Sequence, residues 1–169
     1  NRADAIRQMH AAFVNERSYL KAGGENAFRG EYDLAEQAFQ KALEINPQSA
    51  AAYEAWGVAL VHEKKFAEAA DRLSKAIELQ PKSKYAHYFL AQAMAGLRRT
   101  PEAIAHSREA VRLDPAYAEA HMQLGTLLVD ARQLDDGKRH LAQAARLEPR
   151  NPQPRVFLGA ALMREDKPE

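Results

Sequence analysis

The 169 residues (18.9 kDa) are 46% hydrophobic, 28% charged and 8% aromatic, enough for a buried core without disulfides or metals and too apolar for intrinsic disorder. Twenty-four Lys and Arg against 23 Asp and Glu leave a net charge of +1, so the charge excess that attracts a phosphate backbone is missing and no nucleic-acid partner is expected. The longest apolar run, residues 55–61, is about a third of a bilayer crossing, which argues against membrane insertion. The absence of cysteine removes disulfide, thiolate–metal and cysteine-nucleophile chemistry but suits reducing and oxidising compartments alike.

In chain order, residues 1–15 open on Asn1 rather than Met and lack a signal-peptide core, reading as a mature form or an excised piece. Ile6, Met9 and Phe13 fall on one helical stripe with no proline to interrupt it, which predicts a helical extension that continues into, or caps, the segment beginning at residue 16. From there the chain repeats itself. Pro47, Pro81, Pro115 and Pro149 stand 34 residues apart, each approached through the same phase: ALEINP, AIELQP, AVRLDP and AARLEP. Small residues recur in three further columns, at Ala42, Ala76, Ala110 and Ala144, at Ala35, Ala69, Ala103 and Gly137, and at Gly23, Gly57, Ala91 and Gly125. Just before the last column sit Ala22, Trp56, Leu90 and Leu124. Small columns let two helices approach, large columns fill the gap, and the residue before proline resists αR geometry and ends the second helix. Polar loops at 28–31, 63–65 and 97–100 separate the helices, and no period-2 alternation signals a strand.

This succession of a large residue, Leu-Gly, a second large residue, Ala, an aromatic and Pro resembles the tetratricopeptide repeat family. The resemblance covers residues 16–151 as four complete repeats, 16–49, 50–83, 84–117 and 118–151. Residues 152–169 add a helix from about 152 to 164 with Leu158, Gly159 and Leu162 in phase; it is either a solvating cap or the first half of a fifth repeat in a longer array. Residues 165–169 align with an inter-helix loop. Local departures are Asn26 in the column of Leu60, Met94 and Leu128, Ser107 in that of Phe39 and Leu73, and Arg155 in that of Tyr19 and Tyr53. The fold implied is an all-α, right-handed superhelical solenoid of antiparallel helix pairs.

The search for chemistry is negative. There is no Gly-rich phosphate loop and no G-x-S-x-G elbow, and the stretch from His62 to Phe66 lacks the second His of a zinc helix. His87 and His121 lie one period apart, but equivalent helices in stacked repeats are about 8 to 10 Å apart, too far for one ion bound at about 2 Å by both; both read as interface fillers. Asp135 with Asp136, and Glu165 with Asp166, read as solvated loop carboxylates. No catalytic residue, metal or cofactor is expected.

What remains is a face. The resemblance implies that first helices line the concave side. In the third repeat His87, Leu90, Ala91 and Met94 form a packing stripe, while Tyr85, Tyr88, Gln92 and Ala95 form a second stripe about a quarter-turn away. Its counterparts are Leu20, Gly24 and Ala27, then Glu54, Val58 and Val61, then Met122, Thr126 and Val129. Leu20, Glu54, Val58, Tyr85, Tyr88, Phe89, Gln92, Met122 and Thr126 are the expected partner-binding residues, suited to an amphipathic helix or an extended apolar peptide. The alternative for Tyr85 and Tyr88 is bracing between repeats. Chaperone-binding members of the family clamp a C-terminal carboxylate with Lys, Asn, Asn, Lys and Arg, but those columns here read Leu20, Gly24, Ala55, Tyr85 and Phe89, or one repeat later Glu54, Val58, Phe89, Glu119 and Gln123. No such clamp is expected. The functional expectation is a non-catalytic scaffold or adaptor, with self-association through an exposed terminal helix as a further route. The rival is a regulatory or targeting region cut from a larger enzyme or a cell-envelope secretion or assembly protein. Alanine-rich, arginine-containing repeats suit a bacterial source.

Overall fold

The computed structural model describes residues 2–165, and of these the side chains at 2–5, 7, 9, 10, 12, 13, 164 and 165 fall outside the description. The side chains of the expected stripe residues Met9 and Phe13, and residues 166–169 of the expected loop, therefore lie outside the description, while Glu165, expected in that loop, is instead the last residue of a helix, and Ile6 is 58% exposed. The described residues contain nine helices and no strand. The chain divides into two compact units, Asn1–Lys82 and Ser83–Glu169.

The first unit holds α1 (Arg2–Phe28), α2 (Tyr32–Ile45), α3 (Ala50–His62) and α4 (Phe66–Leu79). Here α1 pairs with α2 and α3 with α4, and α3 also packs on both α1 and α2. The second unit holds α5 (Lys84–Gly96), α6 (Thr100–Leu113), α7 (Ala118–Asp130), α8 (Leu134–Leu147) and α9 (Gln153–Glu165). Its pairs are α5 with α6 and α7 with α8; α6 packs on α7, and α9 packs chiefly on α8.

The helix ends repeat because their causes repeat. Asn46, Gln80, Asp114 and Glu148, each immediately before a proline, have φ between −141° and −121° with ψ between 78° and 96°, the extended geometry that proline imposes on its predecessor. Ser49 and Ser83 cap α3 and α5 by accepting hydrogen bonds from the amides of Ala52 and Ala86 at 3.2 and 3.1 Å. Between paired helices the chain turns through a left-handed residue, Gly30, Lys64, Arg98 or Arg132, with φ of 76°, 66°, 60° and 62°. The next amide then closes on the carbonyl five residues back, as Glu31 does on Asn26 and Lys65 on Leu60, both at 2.9 Å. This is a Schellman closure, and only the first copy uses the glycine that it favours.

Packing explains the small columns. A Cβ placed on Gly23 would lie 2.5 Å from the Phe39 ring, one on Gly57 2.5 Å from Leu73 Cγ, and one on Gly125 2.7 Å from Leu141 Cγ. Glycine on the first helix is thus the complement of a large residue on the second. In the third repeat both change together: Ala91 stands in the glycine column and Ser107 in the large column, and both are fully buried.

Two expectations are corrected. Asp135 and Asp136 are not loop residues but lie in the first turn of α8, where their charge opposes the positive end of the helix dipole. Asp135 pairs with Lys138 at 3.1 Å, and Asp136 pairs with Arg139. Val61 and Val129, expected on the open stripe, are only 7% and 6% exposed; both stand in the last turn of their helix, and Val129 closes against the second helix. Val129 belongs to a core cluster with Leu141 and Ala161.

Candidate functional site

In the first unit, Gly24, Ala27 and Phe28 of α1, Tyr32 of α2, and Ala55, Val58, Ala59 and His62 of α3 line an open, mostly apolar cleft of about 490 Å³. Phe28, at its rim, is 94% exposed. Among the described residues nothing lies within 4 Å of where a Gly24 Cβ would be, so this glycine, unlike Gly23 beside it, is not called for by a described neighbour. Of the expected binding residues, Val58 lines the cleft, while Leu20 and Glu54 are half-buried elsewhere on α1 and α3.

In the second unit, Thr126, Val129 and Asp130 of α7, Leu141 of α8, and Phe157 and Ala160 of α9 line a cleft of about 250 Å³. The Thr126 hydroxyl donates to the Gln123 carbonyl at 2.8 Å, and Met122 packs against the Val129–Leu141–Ala161 cluster. The two clefts use the same columns. Gly24, Val58, Thr126 and Ala160 share one position in the 34-residue period, Ala55 and Phe157 a second, Ala27 and Val129 a third, and His62 and Asp130 a fourth.

Tyr85, Tyr88 and Phe89 gather with a residue that sequence reasoning passed over, Tyr117 at the start of α7. Tyr85 meets its ring edge-on at 5.6 Å and Tyr88 lies 5.1 Å from it, while Tyr88 and Phe89 meet edge-on at 5.0 Å. Lys84 sits over Tyr85 and Tyr117, 4.9 and 5.2 Å from their centroids, and is anchored by Asp114. Burial is the main cause that raises the hydroxyl pKa of both Tyr88 and Tyr117, and the Gln92 side chain opposes it at Tyr88 by hydrogen bonding. Tyr85 keeps 47% of its surface exposed. These rings therefore tie α5 to α7, and part of the Tyr85 surface stays exposed.

His87 and His121 do not stack on each other. His87 faces His106 with Nδ1 atoms 3.1 Å apart, and His121 faces His140 at 2.9 Å, joining the first helix of each repeat to its second. Burial first, then the partner imidazole, lowers the pKa of His106 and His140; burial also lowers His121, against a hydrogen bond to the Pro115 carbonyl. His106 and His140 are themselves 34 residues apart, the signal that would have revealed them. Among the described residues no group of three or more His, Cys, Asp or Glu is placed to hold a metal ion, and no helix is long and apolar enough to cross a membrane.

Residues 6–124 match the family model described as the tetratricopeptide repeat protein 21 C-terminal ARM domain, and residues 122–169 match a tetratricopeptide repeat model. The chain belongs to the tetratricopeptide repeat family. Its all-α repeat solenoid is shared with solved structures of low identity. YrrB, described as a TPR protein with an unusual peptide-binding site, superposes with a TM-score of 0.75 at 23% identity, over 89% of this chain and 78% of that one. PilF of Pseudomonas aeruginosa gives 0.83 at 23% identity, over 92% and 71%. The first TPR domain of Spaghetti (RPAP3), bound to the HSP90 peptide SRMEEVD, gives 0.68 at 22% identity, over 71% and 95%. No curated protein matches the sequence.

Proposed function

We propose that this tetratricopeptide repeat protein is a non-catalytic adaptor that binds a helix or extended segment of a partner protein by seating its apolar side chains in the two clefts. The observation that carries this reading is the recurrence of one set of columns as a mostly apolar cleft in each unit, with Gly24 left without a packing role among the described residues in the first. A glycine inside a helix costs about 1 kcal/mol relative to alanine, and no neighbour among the described residues accounts for that cost here. The expected residues Val58 and Thr126 line the clefts; Tyr85, Tyr88, Phe89, Gln92 and Met122 extend the face in the second unit, and Leu20 and Glu54 extend it in the first. Peptide recognition is reported in the descriptions of YrrB and of the RPAP3 domain for those proteins, and the reading carries the same class of partner to this chain. The clamp columns, read as Leu20, Gly24, Ala55, Tyr85 and Phe89, lack the cations and amides that hold a carboxylate, so an apolar segment fits better than an acidic C-terminus.

The test fills the clefts from positions that do not support the fold. Gly24→Leu and Ala160→Leu place a side chain into each opening at exposed sites. Short peptides selected from a random library on the wild-type chain are then measured by calorimetry on each variant. Affinity should drop at least about tenfold, roughly 1.4 kcal/mol, with the melting temperature held or raised. Equal affinity for wild type and both variants would remove the clefts from the binding surface.

A further inference from the structure

The paired histidines have a geometry that selects its occupant. Their ring centroids lie 5.3 and 5.1 Å apart, only about two ring radii beyond the Nδ1 separations of 3.1 and 2.9 Å, so the nitrogens of each pair point at one another head-on. An ion on that line would be roughly 1.5 Å from each nitrogen, well inside the roughly 2.0 to 2.1 Å of an imidazole–zinc bond. One proton fits. In the second pair His121 Nε2 donates to the Pro115 carbonyl, 3.2 Å away, which leaves Nδ1 of the neutral ring as an acceptor and makes His140 Nδ1–H the donor. A first added proton can enter at His140 Nε2 without breaking this bond. A second must go to His121 Nδ1 and set two N–H groups face to face.

We propose that these pairs form an acid-sensitive latch in the second unit, closing the α5–α6 and α7–α8 hairpins while each pair carries at most one added proton and releasing them when acid drives in the second. Around the first pair, Glu102 and Glu109 of α6 face His106, and Glu109 also faces His87 of α5; these carboxylates favour the first proton. Around the second, Arg108 of α6 and Arg139 of α8 face His140 and oppose protonation, and Asp136 of α8 favours it. Burial weakens proton binding at His106, His121 and His140 in the folded chain, whereas the same groups in the unfolded chain bind protons from about pH 6.5 downwards. The unfolded state then holds more protons, so stability is full above that pH and falls as the pH drops through it towards the lowered folded values. In the first unit the equivalent columns carry Tyr19 with Ala38 and Tyr53 with Arg72 in place of paired histidines. That unit is an internal control. The latch is independent of the cleft reading and is tested without a partner.

Native-state hydrogen exchange on the full chain, corrected for intrinsic rates, reads the latch helix by helix. Between about pH 7 and pH 5, protection in α5–α8 should fall at least about tenfold while protection in α1–α4 changes less than about twofold. In the double variant His106→Asn and His140→Asn, whose amides can donate or accept at either pH, the difference between units should vanish. A uniform response along the chain, or an acid response retained by the variant, overturns the proposal. Should the variant not fold, imidazole nitrogen NMR on wild type decides: separate uptake of the first and second protons, the second bound at least about tenfold more weakly than by free histidine, supports the latch. A single step at the ordinary histidine value sinks it.

Discussion

The complementarity between the glycine column and the large column predicts an outcome for the one repeat that lacks both. Ser107 is fully buried with its hydroxyl unpartnered, in the column of Phe39, Leu73 and Leu141, and Ala91 takes the position whose counterparts meet those three as glycine. Ser107→Leu alone should gain about 1.5 to 3 kcal/mol from burying the side chain and a further 1 or so, roughly, from removing an unsatisfied hydroxyl. It also drives Cγ against a real Cβ at the 2.5 to 2.7 Å seen for the imagined atoms on Gly57 and Gly125, and such overpacking costs about 1 to 3 kcal/mol. The single variant should therefore be more stable than wild type by only about 1 kcal/mol. Ala91→Gly alone should lose about 2 kcal/mol, half from helix propensity and half from a buried methyl. Together the two changes rebuild the glycine–leucine pair of the second and fourth repeats, and the double variant should exceed the additive expectation by about 2 kcal/mol. Urea unfolding followed by far-ultraviolet circular dichroism supplies the four corners of the cycle, with exchange protection in α5 and α6 as a local readout because repeat arrays need not unfold in one step. Additivity within about 0.5 kcal/mol would show that the two columns do not meet as described.

Leu90, 1% exposed in the same repeat, should cost about 2 to 5 kcal/mol when replaced by alanine, through lost burial and the cavity left behind; an unchanged melting curve would put the repeat in the wrong phase. Lys64→Gly, Arg98→Gly and Arg132→Gly each relieve a left-handed residue held at φ of 60° to 66°, where a side chain costs about 1 to 2 kcal/mol. After the extra entropy of glycine in the unfolded chain, each should still raise stability by roughly 0.5 kcal/mol in thermal melts, and a consistent fall would mean that those turns are not strained.

The same three turns show where sequence stops recording structure. Proline and glycine columns were legible because few residues satisfy the geometry: only glycine admits the Phe39 ring at Gly23, and only proline forces its predecessor out of the helix. At the left-handed position the Schellman bonds of the surrounding backbone hold the angle, so lysine and arginine are tolerated and nothing but Gly30 advertises it. Val61 and Val129 are more buried than their stripe predicts for a related reason, although Val129 still borders the cleft beside α9. Helical spacing assigns them to the stripe of Val58 and Thr126, but they stand beside the tight turns, where the second helix is nearest, and Val129 Cγ2 would lie 2.6 Å from a Cβ on Gly137. A column's angle on the helix can be counted from sequence, whereas its distance from the turn decides whether it opens or closes. The histidines lie between these cases. His87 and His121 invited comparison with each other because they share a column, but their partners are in another column, 19 residues on. Polar partners are chosen across the helix pair, and their trace in the sequence is that two histidine columns recur together in the same two repeats. The candidate clefts follow a different logic: the column of Gly24, Val58, Thr126 and Ala160 keeps no constant size, and among the described residues nothing lies within 4 Å of where a Gly24 Cβ would be, which leaves an opening that the proposed segment would fill.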